Sequence, residues 1–96
     1  MKLVLLPDAK RDVLESVDSF NALSKGLGDR FEGELFECFS RIRSDPELYA
    51  ANSNGFRACK LSKFQAVVYF RLEPNSLVVF RVCVNGRTAE EIDPAG

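Results

Sequence analysis

The chain contains 96 residues, of which 46% are hydrophobic and 28% are charged, and its net charge at pH 7 is −1. A chain of this size forms one domain, and this composition is typical of a globular protein rather than a disordered or collagen-like one. The absence of histidine excludes Ser-His-Asp and Cys-His nucleophile systems and histidine metal ligands. The near-neutral charge excludes a uniformly basic nucleic-acid binder.

The first half predicts a strand followed by two helices. Residues 3–6 are an apolar run of strand formers, stopped by Pro7, and an amphipathic helix of about four turns follows with Asp8 as its N-cap. The apolar positions of this helix are Val13, Leu14, Val17, Phe20 and Leu23. Gly26 is the expected left-handed residue at its end.

The second helix is predicted to begin near Asp29 and to end before Pro46. Its apolar stripe consists of Phe31, Leu35, Phe39 and Ile42, widened by Phe36 and Cys38. Gly33 is expected to mark a close contact between the helices, because glycine within a helix is otherwise unfavourable. The short linker predicts an antiparallel hairpin.

The second half predicts a loop at residues 46–55 and strands at residues 56–61, 64–72 and 77–84, with a turn at 73–76. The side chains expected to face the helices are Phe64, Val68, Phe70, Val78, Phe80 and Val82. Asn85-Gly86 ends the last strand, and residues 88–96 are expected to fray. The order predicts an α+β two-layer domain, with the hairpin on one face of an antiparallel β-meander (β-α-α-β-β-β). The position of the first strand within the sheet stays open.

The number and spacing of the cysteines indicate the cellular compartment of the protein rather than a catalytic site. The chain has three cysteines, an odd number, at Cys38, Cys59 and Cys83, and they are too widely spaced for a zinc motif or a disulfide framework. We therefore expect buried thiols in a reducing compartment. The apolar run at residues 3–6 is too short for a signal peptide or a membrane helix. We therefore expect a cytoplasmic protein with no cofactor, no metal and no membrane partner.

Charge is unevenly distributed along the chain. Residues 1–55 carry seven basic and ten acidic side chains, whereas residues 56–87 carry six basic side chains and one acidic side chain. We expect Arg71 and Arg81 to point away from the helices, close to Tyr69, and to face an acidic peptide or a phosphate backbone. The candidate binding residues are Arg57, Lys60, Lys63, Tyr69, Arg71, Arg81 and Arg87.

The segments at residues 60–64 (KLSKF), 67–73 (VVYFRLE) and 77–87 (LVVFRVCVNGR) resemble the RelE/ParE superfamily, the toxins of bacterial type II toxin–antitoxin pairs. Residues 26–31 (GLGDRF) and 45–48 (DPEL) resemble its ParE branch. The resemblance runs from about residue 3 to about residue 88. It implies a single toxin domain over residues 1–96, a role in plasmid stabilization, and a cognate antitoxin whose extended tail wraps the toxin.

The resemblance also implies a target, either DNA gyrase or mRNA on the ribosome. Asn85 stands where the family usually has histidine, and Ala66 stands where RelE-type members have an arginine, whereas Arg87 matches both branches. RNA cleavage needs a base for the ribose 2′-hydroxyl, and the sequence shows no evident one. The resemblance therefore implies a ParE-like toxin that inhibits DNA gyrase by binding. A RelE-like ribosome-dependent mRNA endonuclease and a non-toxic, binding-only homologue stay open as alternatives.

Overall fold

The computed structural model describes residues 1–84, which form one four-stranded sheet with two helices packed against it. The elements are β1 (Lys2–Leu5), α1 (Pro7–Leu23), α2 (Leu27–Ser44), a 3₁₀ turn (Pro46–Leu48), β2 (Arg57–Lys60), β3 (Ala66–Glu73) and β4 (Ser76–Val84). This order confirms the predicted β-α-α-β-β-β fold. The predicted turn at Asn85-Gly86, Arg87 and the tail at 88–96 lie outside the described residues. No helix within residues 1–84 has the length and apolar character needed to cross a bilayer.

The sheet has the order β1-β4-β3-β2. Strands β2, β3 and β4 form the predicted antiparallel meander, and β1 pairs in parallel with β4 at one edge. Parallel pairing needs a long crossover connection, and the two helices supply part of it while covering one face of the sheet. The last residue of β1, Leu5, pairs with Val79, so the second half of β4 extends beyond β1.

Local chemistry sets the ends of the helices. Helix α1 begins at Pro7 with Leu6 as its N-cap residue, so the predicted cap at Asp8 is wrong. Proline suits this position because its missing N–H would have no partner in the first turn. Between the helices, Gly26 has a φ of 84°, which confirms the left-handed conformation predicted for it.

The two helices approach each other at Gly28. A Cβ atom added to Gly28 would collide with the carbonyl oxygen of Val17 and the side chain of Asn21. The Gly28 N–H also donates a 2.7 Å hydrogen bond to Asn21 Oδ1. Gly33 has open space where its Cβ would be, so the predicted helix contact at Gly33 is wrong.

The main core lies between the helices and the sheet. The predicted core residues buried there are Phe31, Leu35, Phe39, Val68, Phe70 and Val82. The predicted residues Val13, Val17, Phe20 and Phe64 are partly buried against them. Three side chains assigned to the apolar stripes are exposed instead, namely Leu14, Leu23 and Phe36. The buried stripe of each helix is therefore narrower than its sequence pattern.

Strand β4 contains a bulge that the alternation pattern did not predict. Tyr69 is opposite Arg81 and the next residue, Phe70, is opposite Val79, which leaves Phe80 as an extra residue in β4. An extra residue changes which face of the sheet each following side chain points to.

The bulge explains two wrong assignments. Leu77 and Val79 are fully buried in the main core before the bulge, and Val82 joins the same core after it. Val78 and Phe80, predicted to face the helices, point to the other side of the sheet, because their half of the strand is shifted by one residue relative to Val82. Phe80 is buried, but in a separate cluster.

Candidate functional site

The side of the sheet opposite the helices, which we call the outer face, carries a small aromatic cluster. Phe56, Tyr69 and Phe80 are buried there together with Cys83. The Phe56 ring meets the rings of Tyr69 and Phe80 edge-on, at centroid distances of 5.7 Å and 5.2 Å. Tyr69 is 8% exposed, so this predicted binding residue serves mainly as packing beneath the surface.

Three of the predicted binding residues are exposed cations. The guanidinium carbon of Arg71 lies 5.7 Å from the centre of the Phe80 ring, within the range of a cation–π contact. Lys60 lies at the end of β2, opposite Val67, which packs against the outer-face cluster. Lys63 is exposed in the turn between β2 and β3. No carboxylate within residues 1–84 forms an ion pair with any of the three.

Arg57 lies apart from these exposed cations. It is opposite Phe70, whose ring is in the main core, and it is only half-exposed. Its Nη1 donates a 2.6 Å hydrogen bond to the carbonyl oxygen of Tyr49. Arg57 therefore holds the loop that connects α2 with β2.

Arg81 is also separated from the outer-face cations, contrary to the prediction that it points away from the helices. Its Nε and Nη2 donate hydrogen bonds of 2.7 Å and 2.9 Å to the two carboxylate oxygens of Asp12 on α1. The hydrogen bond to Asp12 raises the pKa of Arg81 above its usual value. Asp12 also accepts a 2.9 Å hydrogen bond from the Val82 N–H, in the part of β4 that extends beyond β1. Asp12 thus neutralises Arg81 and satisfies a strand-edge donor.

A group of four residues that the sequence analysis did not connect lies on the helix side of β2. This thiol cluster consists of Cys38 and Arg41 from α2, Tyr49 from the following loop, and Cys59 from β2. Arg41 Nη2 lies 3.9 Å from Cys59 Sγ. Hydrogen bonding with Cys38, and to a smaller extent with Tyr49 and Arg41, lowers the pKa of Cys59 to about 6, although burial opposes the shift.

The pKa values of Cys38 and Tyr49 shift in the opposite direction to that of Cys59. The hydrogen bond to Cys59, together with burial, raises the pKa of Cys38 above its usual range. The same kind of hydrogen bond raises the pKa of Tyr49. All three cysteines lie in the described part of the chain, and each is a buried thiol, as predicted.

The sequence offers little that would have revealed the thiol cluster. Alternation along β2 puts Cys59 on the helix side, and helical spacing puts Cys38 on the buried stripe of α2. Nothing in either pattern shows that the two cysteines affect each other, because their relative position depends on where α2 crosses the sheet. Within residues 1–84, no three His, Cys, Asp or Glu side chains are close enough together to hold a metal ion.

Comparison with known proteins shows a likeness in structure. No protein-family model matches the chain, and no curated protein matches it. Among solved structures, the fold is similar to that of a chain in the chromosomal ParDE TA (toxin–antitoxin) system from P. aeruginosa. The TM-score is 0.77, the match covers 88% of this chain and 95% of that chain, and the sequence identity is 16%. At this identity, the likeness establishes a shared fold, which agrees with the fold implied by the ParE-like sequence segments.

Proposed function

We propose that this chain is the toxin of a type II toxin–antitoxin pair, of the ParE-like kind, and that it acts in the cytoplasm by binding and inhibiting DNA gyrase. A cognate antitoxin neutralises it. The observation that carries the proposal is the fold shared with a chain of the P. aeruginosa ParDE system over nearly the full length of both chains. The ParE-like segments at residues 26–31 and 45–48 support the same assignment.

The geometry favours action by binding over RNA cleavage. Deprotonating a ribose 2′-hydroxyl requires a base that the substrate can reach and whose pKa is near the working pH. Cys59 has a pKa of about 6, but it is 3% exposed on the helix side of the sheet. Tyr69 is 8% exposed within the outer-face aromatic cluster. Neither side chain reaches a bound polynucleotide, which argues against the RelE-like alternative.

We assign partner binding to the exposed cations Lys60, Lys63 and Arg71. Two of them flank or cover the outer-face aromatic cluster, so a partner would meet positive charge beside buried apolar area. Arg87 belongs to the same proposal, although it lies outside the described residues. Arg57 and Arg81 are left out of the surface because their guanidinium groups already bind partners within the chain.

In this account, target and antitoxin compete for the same cations. An acidic segment of the antitoxin covers Lys60 and Arg71, and the toxin is inactive while they are covered. Electrostatic attraction between exposed charges acts mainly on the rate of encounter and is screened over about 8 Å at physiological ionic strength. Antitoxin association is therefore expected to slow steeply as salt is raised.

Two assays run in parallel test the target. The purified chain is added to DNA gyrase in a supercoiling reaction and to a cell-free translation extract. We expect loss of supercoiling, restored when the cognate antitoxin is added, and unimpaired translation. Cleavage of mRNA in the ribosomal A site would support the RelE-like alternative, and no effect in either assay would support the binding-only alternative.

A further inference from the structure

Two exposed lysines lie at the end of the sheet where the described part of the chain ends. Strand β4 ends at Val84, which is opposite Ala66, the first residue of β3. The acidic tail (residues 88–96) therefore follows from the same end of the sheet as the turn between β2 and β3. Lys60 and Lys63 are exposed at this end, and neither forms an ion pair with a carboxylate of the described residues.

An apolar hollow lies beside these lysines. Its volume is about 300 Å³, and it is lined by apolar side chains of the turn, by Val67 and Cys83, and by Lys60. Lys60 pairs with Val67, and Val67 pairs with Cys83, so the three form a row across β2, β3 and β4. Glu34 of α2 reaches the turn, where it accepts a 3.1 Å hydrogen bond from Ser62 Oγ, but it forms no ion pair with either lysine.

The sequence of the acidic tail complements this hollow. Residues 88–96 (TAEEIDPAG) contain three carboxylate side chains and no basic side chain, and Ile92 is their only large apolar residue. Ile92 stands between Glu91 and Asp93, so an apolar side chain is flanked by negative charges. The hollow offers apolar walls beside two positive charges, which matches the tail in both respects.

The tail is long enough to reach the hollow. Ile92 is eight residues beyond Val84, and eight extended residues span about 26 Å. Three neighbouring strands span only about 10 Å from β4 to β2. A segment tethered this closely is present at a millimolar effective concentration, which compensates for the weakness of individual exposed ion pairs. The contact needs no regular secondary structure in the tail.

A second groove beside Val84 has the opposite charge. It lies between α1 and β4, and its lining includes Asp12 and Glu15. Arg81 lines it as well, but Asp12 already accepts two hydrogen bonds from the Arg81 guanidinium. The carboxylates of the tail would meet like charge in this groove, which disfavours binding there. Charge therefore directs the tail to the side of the lysines.

We propose that the acidic tail binds its own chain, with Ile92 in the hollow and its carboxylates beside Lys60 and Lys63. The bound tail covers part of the surface assigned to partners, so that an antitoxin or a target has to displace it. This consequence for partners rests on the proposed function, whereas the contact itself does not. The contact weakens as salt is raised, because the screening length falls from about 10 Å at 0.1 M to about 3 Å at 1 M ionic strength.

NMR spectroscopy of the isolated full-length chain tests the contact without any partner. The signals compared are the backbone amides of Lys60, Lys63 and Val67. The tail variant is E90Q/E91Q/D93N. The control, D18N/E47Q/E73Q, removes the same number of exposed carboxylates from α1, the 3₁₀ turn and the end of β3.

We expect the three amide signals to shift in the tail variant and to keep their wild-type positions in the control. Raising the ionic strength from about 0.1 M to about 1 M should remove most of the difference between wild type and tail variant, because the charges are then screened. In K60E/K63E the Val67 signal should lose the salt dependence that it has in the wild type. Adding E90K/E91K to this variant should restore that dependence, because opposite charges face each other again.

Identical amide signals in the wild type and the tail variant would overturn the proposal. Shifts that grow with protein concentration would also overturn it, since they would show that the tail of one chain binds a second copy. A chain that shows the expected shifts and yet leaves gyrase uninhibited would support the tail contact and refute the proposed function alone.

Discussion

Two arginines of the sheet, Arg57 and Arg81, are bound within the chain, whereas the cations of the outer face are open to solvent. Arg81 gives two hydrogen bonds to Asp12, and Arg57 gives one to the Tyr49 carbonyl oxygen. Arg71 is exposed above the Phe80 ring, and Lys60 is exposed at the end of β2, opposite Val67. The same residue type therefore stabilises the fold at Arg57 and Arg81 and is available to a partner at Arg71.

The largest expected difference between the two sides is in packing. Phe70 is fully buried in the main core, so Phe70→Ala should lower the free energy of unfolding by about 3–5 kcal/mol, through lost burial and the cavity left behind. Phe80→Ala removes a ring from the smaller outer cluster, and its cost should be lower by at least about 1 kcal/mol. Urea unfolding of the two variants measures both values. Equal costs would mean that Phe80 belongs to the main core, as strict alternation predicted.

The bulge at Phe80 in β4 was the main feature of the fold that the sequence did not predict. The element order, the meander and most helix-side residues follow from local patterns, because helical and strand periodicities depend on neighbouring residues. Local patterns do not show which face of the sheet the side chains of β4 before Phe80 point to. An inserted residue leaves no signal in a strand where nearly every position is apolar. The parallel pairing of β1 was likewise not predictable, because it depends on where the hairpin returns the chain.

The candidate site was predicted only in part, for a related reason. The charge pattern identified the basic half of the chain, and the structure leaves Lys60, Lys63 and Arg71 exposed as expected. Arg81 is not one of the exposed cations because it binds Asp12, which is 69 residues away in the sequence. Contacts of this kind depend on tertiary packing, which residue spacing does not encode.

The second expected difference concerns the two arginines. Asp12→Ala removes three hydrogen bonds and leaves the largely buried Arg81 without its carboxylate, so we expect a loss of about 2–3 kcal/mol in unfolding free energy. Arg71→Ala removes an exposed cation–π contact and should cost less than about 1 kcal/mol. Chemical denaturation compares the two, with Arg11→Ala as a control for loss of an exposed arginine. A cost for Arg71→Ala equal to that of Asp12→Ala would contradict this division.

A third difference should appear in the pH dependence of stability. The pKa of Cys59 is about 6 in the folded chain and about 9 in its ordinary state, so its contribution to stability is present above pH 9 and is lost as the pH falls toward 6. Between these values the wild type should gain at most about 1.4 kcal/mol per pH unit relative to Cys59→Ala.

Unfolding measured from pH 6 to pH 9 tests the sign of this effect. A wild type and a Cys59→Ala variant with parallel pH profiles would show that the thiol cluster does not hold a thiolate.

The most direct measurement of the central claim is gyrase supercoiling in the presence of the wild type, the K60E/R71E double variant and the R11E control. Arg11 is an exposed arginine in the acidic half of the chain, paired only with its helix neighbour Asp8 among the described residues. We predict that the wild type and R11E inhibit supercoiling, and that the double variant does not, while its thermal unfolding stays within a few degrees of the wild type. Inhibition by the double variant at the wild-type concentration would contradict the account, because it would separate the activity from the outer-face cations.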